Sequence, residues 1–280
     1  MSKDPFAILD QEDHMRGMEK VEMRIVGKWQ PFANLVRVEG RINPTDSKMW
    51  QKPNVAVRID VETIEGKRPT SRVYTVRKYD PSTQTVEIDF VIHKDGLAMR
   101  WLNDAKIGSS TFMVGPRPHF IPDENCPFPT LFFADETAIP AIYSILQQWP
   151  KGAKAKLYIE CGNGAAVDEL PKIKGVEHFV YIRKQNEEAG KTGYLVKSAE
   201  SYLEADKYQI WVACEREETR KIRKHFMNVC ALPKDKINAI GYWRYGTSST
   251  QIDAARLEYY TKIVSQGNGL EEFDEFDLPI

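Results

Sequence analysis

A chain of 280 residues, 42% hydrophobic and 28% charged, has room for one large domain or two of ordinary size. Its 39 Lys and Arg stand against 40 Asp and Glu, a balance that argues against a general nucleic-acid binder while leaving room for a local basic pocket. No apolar run is long enough for a membrane helix, and Met1 to Gln11 lacks a basic-then-apolar export pattern, so a cytoplasmic protein without membrane insertion is expected.

Residues 1–18 are polar and aperiodic and read as a mobile or short helical lead-in. From about Val21 to Val114 the pattern is that of strands. Val36 to Gly40 and Val55 to Glu62 alternate, and further strands are expected near 72–78, Val86 to Ile92 and Ser110 to Val114. Turns at Glu65-Gly66, Asp80-Pro81 and Asp95-Gly96 separate them. This spacing predicts an antiparallel β-barrel over 19–118, sealed at one end by a helix from Leu97 to Ala105. Five prolines between Pro116 and Pro129 remove backbone donors, so 119–129 reads as a linker.

After the linker, strands and helices alternate. Strands are expected at Thr130 to Ala134, Lys156 to Glu160, His178 to Arg183, Gln209 to Cys214 and Ile237 to Trp243. Helices are expected at Thr137 to Trp149, Val196 to Leu203 and Arg216 to Val229. Such alternation over 130–246 predicts an α/β domain with a parallel sheet covered on both faces. Residues 247–280 hold a helix, Gln251 to Val264, capped by Thr250 or Ser249, and an acidic tail at Glu271 to Asp277. The four cysteines, Cys126, Cys161, Cys214 and Cys230, show no CxxC spacing and read as free thiols rather than metal ligands.

Arg72-Val73-Tyr74-Thr75-Val76-Arg77 sets a guanidinium, a phenol and a hydroxyl on one short stretch. Alternation puts Arg72, Tyr74 and Val76 on one face. A flavin dinucleotide needs a donor fork for its pyrophosphate, an aromatic platform, and a hydroxyl at its polar edge. Taken alone, the stretch reads first as an ordinary half-buried strand with a snorkelling arginine. Gly96 to Trp101 opens a helix whose N–H groups suit an anion. Asp135-Glu136-Thr137 closes the first strand of the sheet, where an open parallel sheet gathers ligands, but no Gly-x-Gly-x-x-Gly follows. Adjacent side chains point apart, so Asp135 and Glu136 form no shared-proton dyad, and Glu136 reads as support for a helix dipole. Thr137 reads as the cap of that helix, and Arg183 and Lys184 as solvated charge.

In order and interval, the stretches Arg72 to Arg77, Ile88 to His93, Gly96 to Trp101, Gly115 to Pro118, Asp135 to Ile142 and Gly241 to Gly246 resemble the siderophore-interacting protein family. Its members are flavin-dependent ferric-siderophore reductases related to ferredoxin–NADP reductases. The resemblance implies a ferredoxin-reductase-like fold: a barrel that binds FAD, then an NAD(P)-binding-like domain. It implies Arg72 on the flavin phosphate, Tyr74 on the ring system and Thr75 near its reactive edge. It sets Val91 and His93 on a strand passing the flavin, and Ala98, Met99 and Trp101 at a phosphate-cradling helix start. The family often has Gly-Pro-Ala-Ser where this chain has Gly96-Leu97-Ala98-Met99, so a serine hydroxyl is missing. The resemblance also implies that Thr137 faces the flavin, with Trp243 as the first candidate for a terminal aromatic near it and Tyr242 as the second. Gly162-Asn163-Gly164 corresponds to the region that receives a nicotinamide nucleotide.

For an anionic ferric siderophore the resemblance offers Arg58 and Arg117; the third basic position falls at Asn238, with Lys236 as a nearby substitute. The implied reaction passes electrons from FAD to siderophore-bound iron(III) and uses no nucleophile, acid–base dyad or resident metal. The resemblance implies NAD(P)H or reduced ferredoxin as the donor, and the extension past Gly246 resembles the subgroup that carries a C-terminal helix and tends towards ferredoxin. A monomer is expected. Two rivals remain: a flavin or ferredoxin oxidoreductase with another acceptor, and a ferric-siderophore-binding protein without redox work.

Overall fold

The computed structural model describes residues 7–10, 15, 17–93, 96–269 and 276. Most of the expected lead-in, Asp95 of one expected turn, and the acidic tail apart from Phe276 lie outside the described residues.

Six strands close an antiparallel barrel: β1 (Glu19–Phe32), β2 (Leu35–Arg41), β3 (Val55–Glu62), β4 (Thr70–Asp80), β5 (Thr85–Val91) and β6 (Ser110–Pro118). They follow one another round the barrel as β1-β2-β5-β4-β3-β6. The period of two decides what lies inside. Val55, Val57, Ile59 and Val61 of β3 turn inward against Met23, Ile25, Ile88 and Phe90. Gly40 of β2 is required by close approach, because a Cβ there would stand 2.4 Å from the Met23 sulfur.

Two short helices serve the barrel where the sequence reading expects one. Helix α1 (Ser47–Trp50), capped by Asp46, buries Trp50. Helix α2 (Leu97–Asp104) presents Ala98, Met99 and Leu102 to the barrel core. A four-residue helix is too short to show a hydrophobic period, which is why α1 escapes the pattern.

The second half is a parallel sheet of five strands: β7 (Thr130–Asp135), β8 (Ala155–Cys161), β9 (Val176–Ile182), β10 (Gln209–Glu215) and β11 (Ile237–Trp243). Their order is β11-β10-β7-β8-β9. Every residue of β7 and β10 is buried, as central strands covered on both faces require. Helices α3 (Ile139–Gln147), α4 (Ala165–Asp168), α5 (Tyr194–Glu200) and α6 (Arg216–Asn228) provide the cover, and α7 (Ser249–Ser265) follows the last strand.

Helix starts differ from expectation for a local reason. Thr137 does not cap the helix after β7; a 3-10 turn over Glu136–Ala138, capped by Asp135 accepting the Thr137 N–H at 2.9 Å, precedes α3, which Ala138 opens without a side-chain cap bond. Neither Thr250 nor Ser249 caps α7. Ser248 does, because it stands three residues before Gln251 and the two complete a reciprocal capping box. The helix expected at Val196 to Leu203 begins earlier, at Tyr194, and ends at Glu200.

A buried ionic network joins barrel and sheet. Arg37 of β2 donates to both Asp89 oxygens at 2.6 and 3.0 Å and to Glu169 at 2.7 Å. Arg77 of β4 donates to the same Glu169 oxygen at 2.7 Å and lies 3.5 Å over the Tyr143 ring of α3. The Asn54 N–H donates to Ser144 Oγ at 2.9 Å, and the Asn34 amide to Glu136 at 3.1 Å. These contacts set the carboxyl edge of the sheet against β4.

Candidate functional site

Register assembles the first half of the site. Ala56 of β3 pairs with Thr75 of β4 on one side and with Arg117 of β6 on the other. Directly paired residues share a face, so Thr75, Ala56 and Arg117 form one row on the outside of the barrel, about 10 Å from end to end. Arg58 is two residues from Ala56 and turns to the same face.

The sheet reaches this row through Tyr242. Its phenol faces the Thr75 side chain, and burial pushes its pKa up to about 12. Trp243, one residue on, turns the other way and donates its indole N–H to Asp135 at 2.7 Å. The structure therefore brings Tyr242, rather than Trp243, onto the hydroxyl of β4. Thr137 donates its N–H and hydroxyl to Asp135, on the Trp243 side.

Arg72, Tyr74 and Val76 do share a face, and it is the inner one, since their partners Val57, Ile59 and Ile88 are core residues. The Tyr74 ring lies 4.3 Å from Phe90, which lies 5.5 Å from Trp101 of α2. Burial raises the Tyr74 phenol above its ordinary range, so it stays neutral. Arg72 is at the strand's end, where its guanidinium turns outward to the Ser71 carbonyl (2.8 Å) and the Thr250 hydroxyl (2.6 Å).

Gly96, whose φ of 141° suits glycine, is the N-cap of helix α2, and among the described residues no side chain caps it. The first N–H groups, of Leu97, Ala98 and Met99, have no intrahelical partner by helix geometry. A Cβ at Gly96 would meet the His93 ring at 3.0 Å. His93 itself is exposed beyond Val91, the last residue of β5. Uncapped N–H donors, a partly buried tyrosine and an arginine fork fit FAD: they supply anion donors for a pyrophosphate and an aromatic wall for a ring system.

The cationic residues divide. Arg58 donates to Ser71 Oγ at 3.2 Å and to Asp253 of α7 at 2.8 Å. Burial, and then the Arg58 charge, lower the pKa of half-buried Arg117. Neighbouring His119 is pushed down to about 4 by burial, Arg117 and Arg256. Lys236 is elsewhere: it lies 5.5 Å over Phe128 at the start of β11, whereas Tyr242 closes that strand about 20 Å away.

The carboxyl edge of the sheet holds a larger set of acids than Asp135 and Glu136, which the sequence reading singles out. Strands β7, β8 and β10 end on or beside Asp135, Glu160 and Glu215, all buried. Burial raises Asp135 to about 6 and Glu218 to about 8. Arg183 is not solvated charge, as expected, but nine-tenths buried, paired with Glu136 and, at 3.5 Å, with Glu160. Glu136 in turn accepts the Gly162 N–H at 3.0 Å, which makes it a hub of the junction rather than only a helix-dipole partner. The Asn163 side chain accepts the Ala165 N–H at 2.9 Å. Acidic residues recurring at strand ends were the available signal; their partners were not.

Comparison with known proteins agrees with this architecture. Residues 43–120 match the siderophore-interacting FAD-binding domain, and residues 129–246 match the siderophore-interacting protein model. Ferric acinetobactin reductase of Acinetobacter baumannii is 39% identical over 272 residues, covering 97% of this chain and 94% of that protein. The NADPH-dependent ferric-chelate reductase of Escherichia coli is 28% identical over 184 residues, covering 64% of this chain and 68% of that one. The structure of the siderophore-interacting protein from Acinetobacter baumannii superposes with a TM-score of 0.85 at 38% identity, covering 90% of this chain and all of that one. Ferredoxin reductases share the two-part fold at much lower identity, which speaks for the fold alone.

Proposed function

The chain belongs to the siderophore-interacting protein family and is an oxidoreductase, and we propose that it reduces siderophore-bound iron(III) to iron(II) with FAD, releasing the iron in the cytoplasm. One observation carries the reading: strand register sets Thr75, Arg58 and Arg117 on one face within about 10 Å, with Tyr242 closing on Thr75. A flavin-edge hydroxyl and a pair of cations side by side are what delivery of electrons to an anionic chelate requires.

In this reading the Arg72 fork and the α2 N–H groups of Ala98 and Met99 hold the pyrophosphate. Tyr74 and Trp101 wall the ring system, the backbone from Val91 to His93 passes beside it, and Thr75 and Tyr242 orient its polar edge. Thr137 and Trp243 act one step back, through Asp135. The chemistry that FAD supplies when bound is transfer of single electrons to iron(III). Arg58 and Arg117 draw the chelate to the edge; Lys236, at the far end of β11, enters only if the chelate is large. Hard oxygen ligands hold iron(II) far more weakly than iron(III), so reduction frees it.

The functional units are 19–118 for FAD and 130–246 for the donor side, joined by 119–129, with a lead-in over 1–18 and an appended 247–280. Reduced ferredoxin is the proposed donor. Arg183 and the Gly162 N–H, groups that could meet the phosphates of a nicotinamide nucleotide, are engaged by Glu136. The name of the Escherichia coli relative favours NADPH as the second reading. No second copy is required for the site.

Purified protein should absorb as a flavoprotein. Anaerobic iron(II) trapping with ferric chelates should give turnover with ferredoxin at least ten times that with NADPH or NADH. A colourless protein that takes up no FAD ends the reading in favour of chelate binding alone. A coloured protein that reduces other acceptors but no ferric chelate ends it in favour of a general flavin oxidoreductase.

A further inference from the structure

Helix α7 lies past the segments that match the family, yet it enters the cationic face of the barrel. Asp253 of α7 accepts from Arg58 at 2.8 Å and lies 3.8 Å from Arg72 and 3.8 Å from Arg256. Thr250, one turn earlier, accepts from Arg72 at 2.6 Å. The helix does not need Asp253 to form. Ser248 and Gln251 cap it, and Ile252, Tyr260 and Ile263 bury its apolar side. What the carboxylate does is stand among three guanidiniums, two from the barrel and one from its own helix.

Carboxylate oxygens are the same hard anionic donors that a catecholate or carboxylate chelate presents. We infer that Asp253 is a built-in counter-anion occupying the place of an anionic group of the ferric chelate, and that the chelate must displace it from Arg58 to bind. This rests on the ferric-chelate reading above. It makes Asp253 a specificity residue: anionic chelates compete with it directly, whereas neutral chelates do not. The Asp253 side chain is about a quarter exposed, so displacement needs a rotamer change and not the unfolding of α7.

The test uses the full-length flavin-loaded protein and its Asp253→Asn and Asp253→Ser variants. Dissociation constants are measured, by tryptophan quenching, for the trianionic tris-catecholate complex of iron(III) and for a neutral ferric trihydroxamate. Both variants should bind the trianionic complex about tenfold tighter, the scale of one partly screened charge at this range, with the gain shrinking as salt rises. Their affinity for the neutral complex should not move. Unchanged affinity for the trianionic complex overturns the inference, as does equal tightening of both complexes. Tighter retention of FAD with unchanged chelate affinity overturns it too, by assigning Asp253 to the cofactor's phosphates. If the unaltered protein binds both complexes and the variants match it, only this inference falls; if it binds neither, the functional reading falls with it.

Discussion

Asp89→Asn is the substitution that the domain junction should tolerate least. The side chains involved are almost dry: Asp89 is 2% exposed, Arg37 8% and Arg77 3%. Asparagine keeps the volume and removes the charge. Arg37 then loses a two-point carboxylate partner at 2.6 and 3.0 Å, and Arg77 loses a neighbour at 3.9 Å. Two unit charges near 4 Å interact by about 4 kcal/mol at an effective dielectric of 20. Breaking a buried pair on one side costs about 3–5 kcal/mol, because the remaining charge is left without compensation. Glu169 still holds both guanidiniums, so the lower part of that range, about 3 kcal/mol, is expected. With a urea m-value of about 2–3 kcal/mol per molar for a chain of this size, the unfolding midpoint should fall by about 1 M or slightly more. Tryptophan fluorescence reads it, since Trp50 and Trp211 are buried in the two halves. Glu169→Gln should cost less, about 1–2 kcal/mol, because that side chain is 31% exposed. An Asp89→Asn stability within about 0.5 kcal/mol of the parent would refute the claim that this network is electrostatically coupled.

Arg72→Ala should weaken FAD retention by at least tenfold and Arg72→Lys by somewhat less, since lysine keeps the charge but not the fork; equilibrium dialysis of apoprotein against FAD measures both. Arg58→Ala and Arg117→Ala should raise KM for anionic ferric chelates several-fold while leaving kcat and the visible flavin spectrum in place, and steady-state kinetics at two salt concentrations would check it. Glu218 has a folded pKa raised from 4.5 to about 8 by burial, with neither oxygen hydrogen-bonded among the described residues. A raised carboxyl pKa means that the native state holds a proton the unfolded chain has released, so stability falls as pH rises from about 4.5 to about 8. Glu218→Gln should therefore raise the melting temperature at pH 8 and leave it nearly unchanged at pH 4.5; equal shifts at both values would show that the proton is not involved.

Much of the fold was legible because each half obeys one period. Val55, Val57, Ile59 and Val61 announce a barrel wall, and the apolar runs at Thr130 and Gln209 announce central parallel strands. Helix ends were less legible. Whether Ser248, Ser249 or Thr250 caps α7 depends on which of them can exchange bonds with Gln251, a matter of three-residue spacing that the hydrophobic period does not register. Buried charge was least legible. Arg183 looks like surface charge until β9 lies beside β8 and Glu136 folds back to meet it. Arg37 and Glu169 are 132 residues apart, and no local pattern links them.

The flavin motif shows where such reading stops. Alternation correctly sets Arg72, Tyr74 and Val76 on one face, but it does not say which face is inward. That follows from β3, where Val57 and Ile59 belong to the cluster inside the barrel, whereas Ala56, buried on the other face, and Arg58 do not. Once β3 fixes the inward face, Thr75 is forced outward, and the same strand carries it into line with Arg117. Strand β3 holds no residue of the recognised motif, yet it aligns the hydroxyl of β4 with the cations and contributes one of them. Slipping β3 by one residue against either neighbour would turn Thr75 and Arg117 to opposite faces. The geometry behind the proposed electron delivery to an anion is therefore a property of three strands together, and Ala56, a residue with no chemistry of its own, is its keystone.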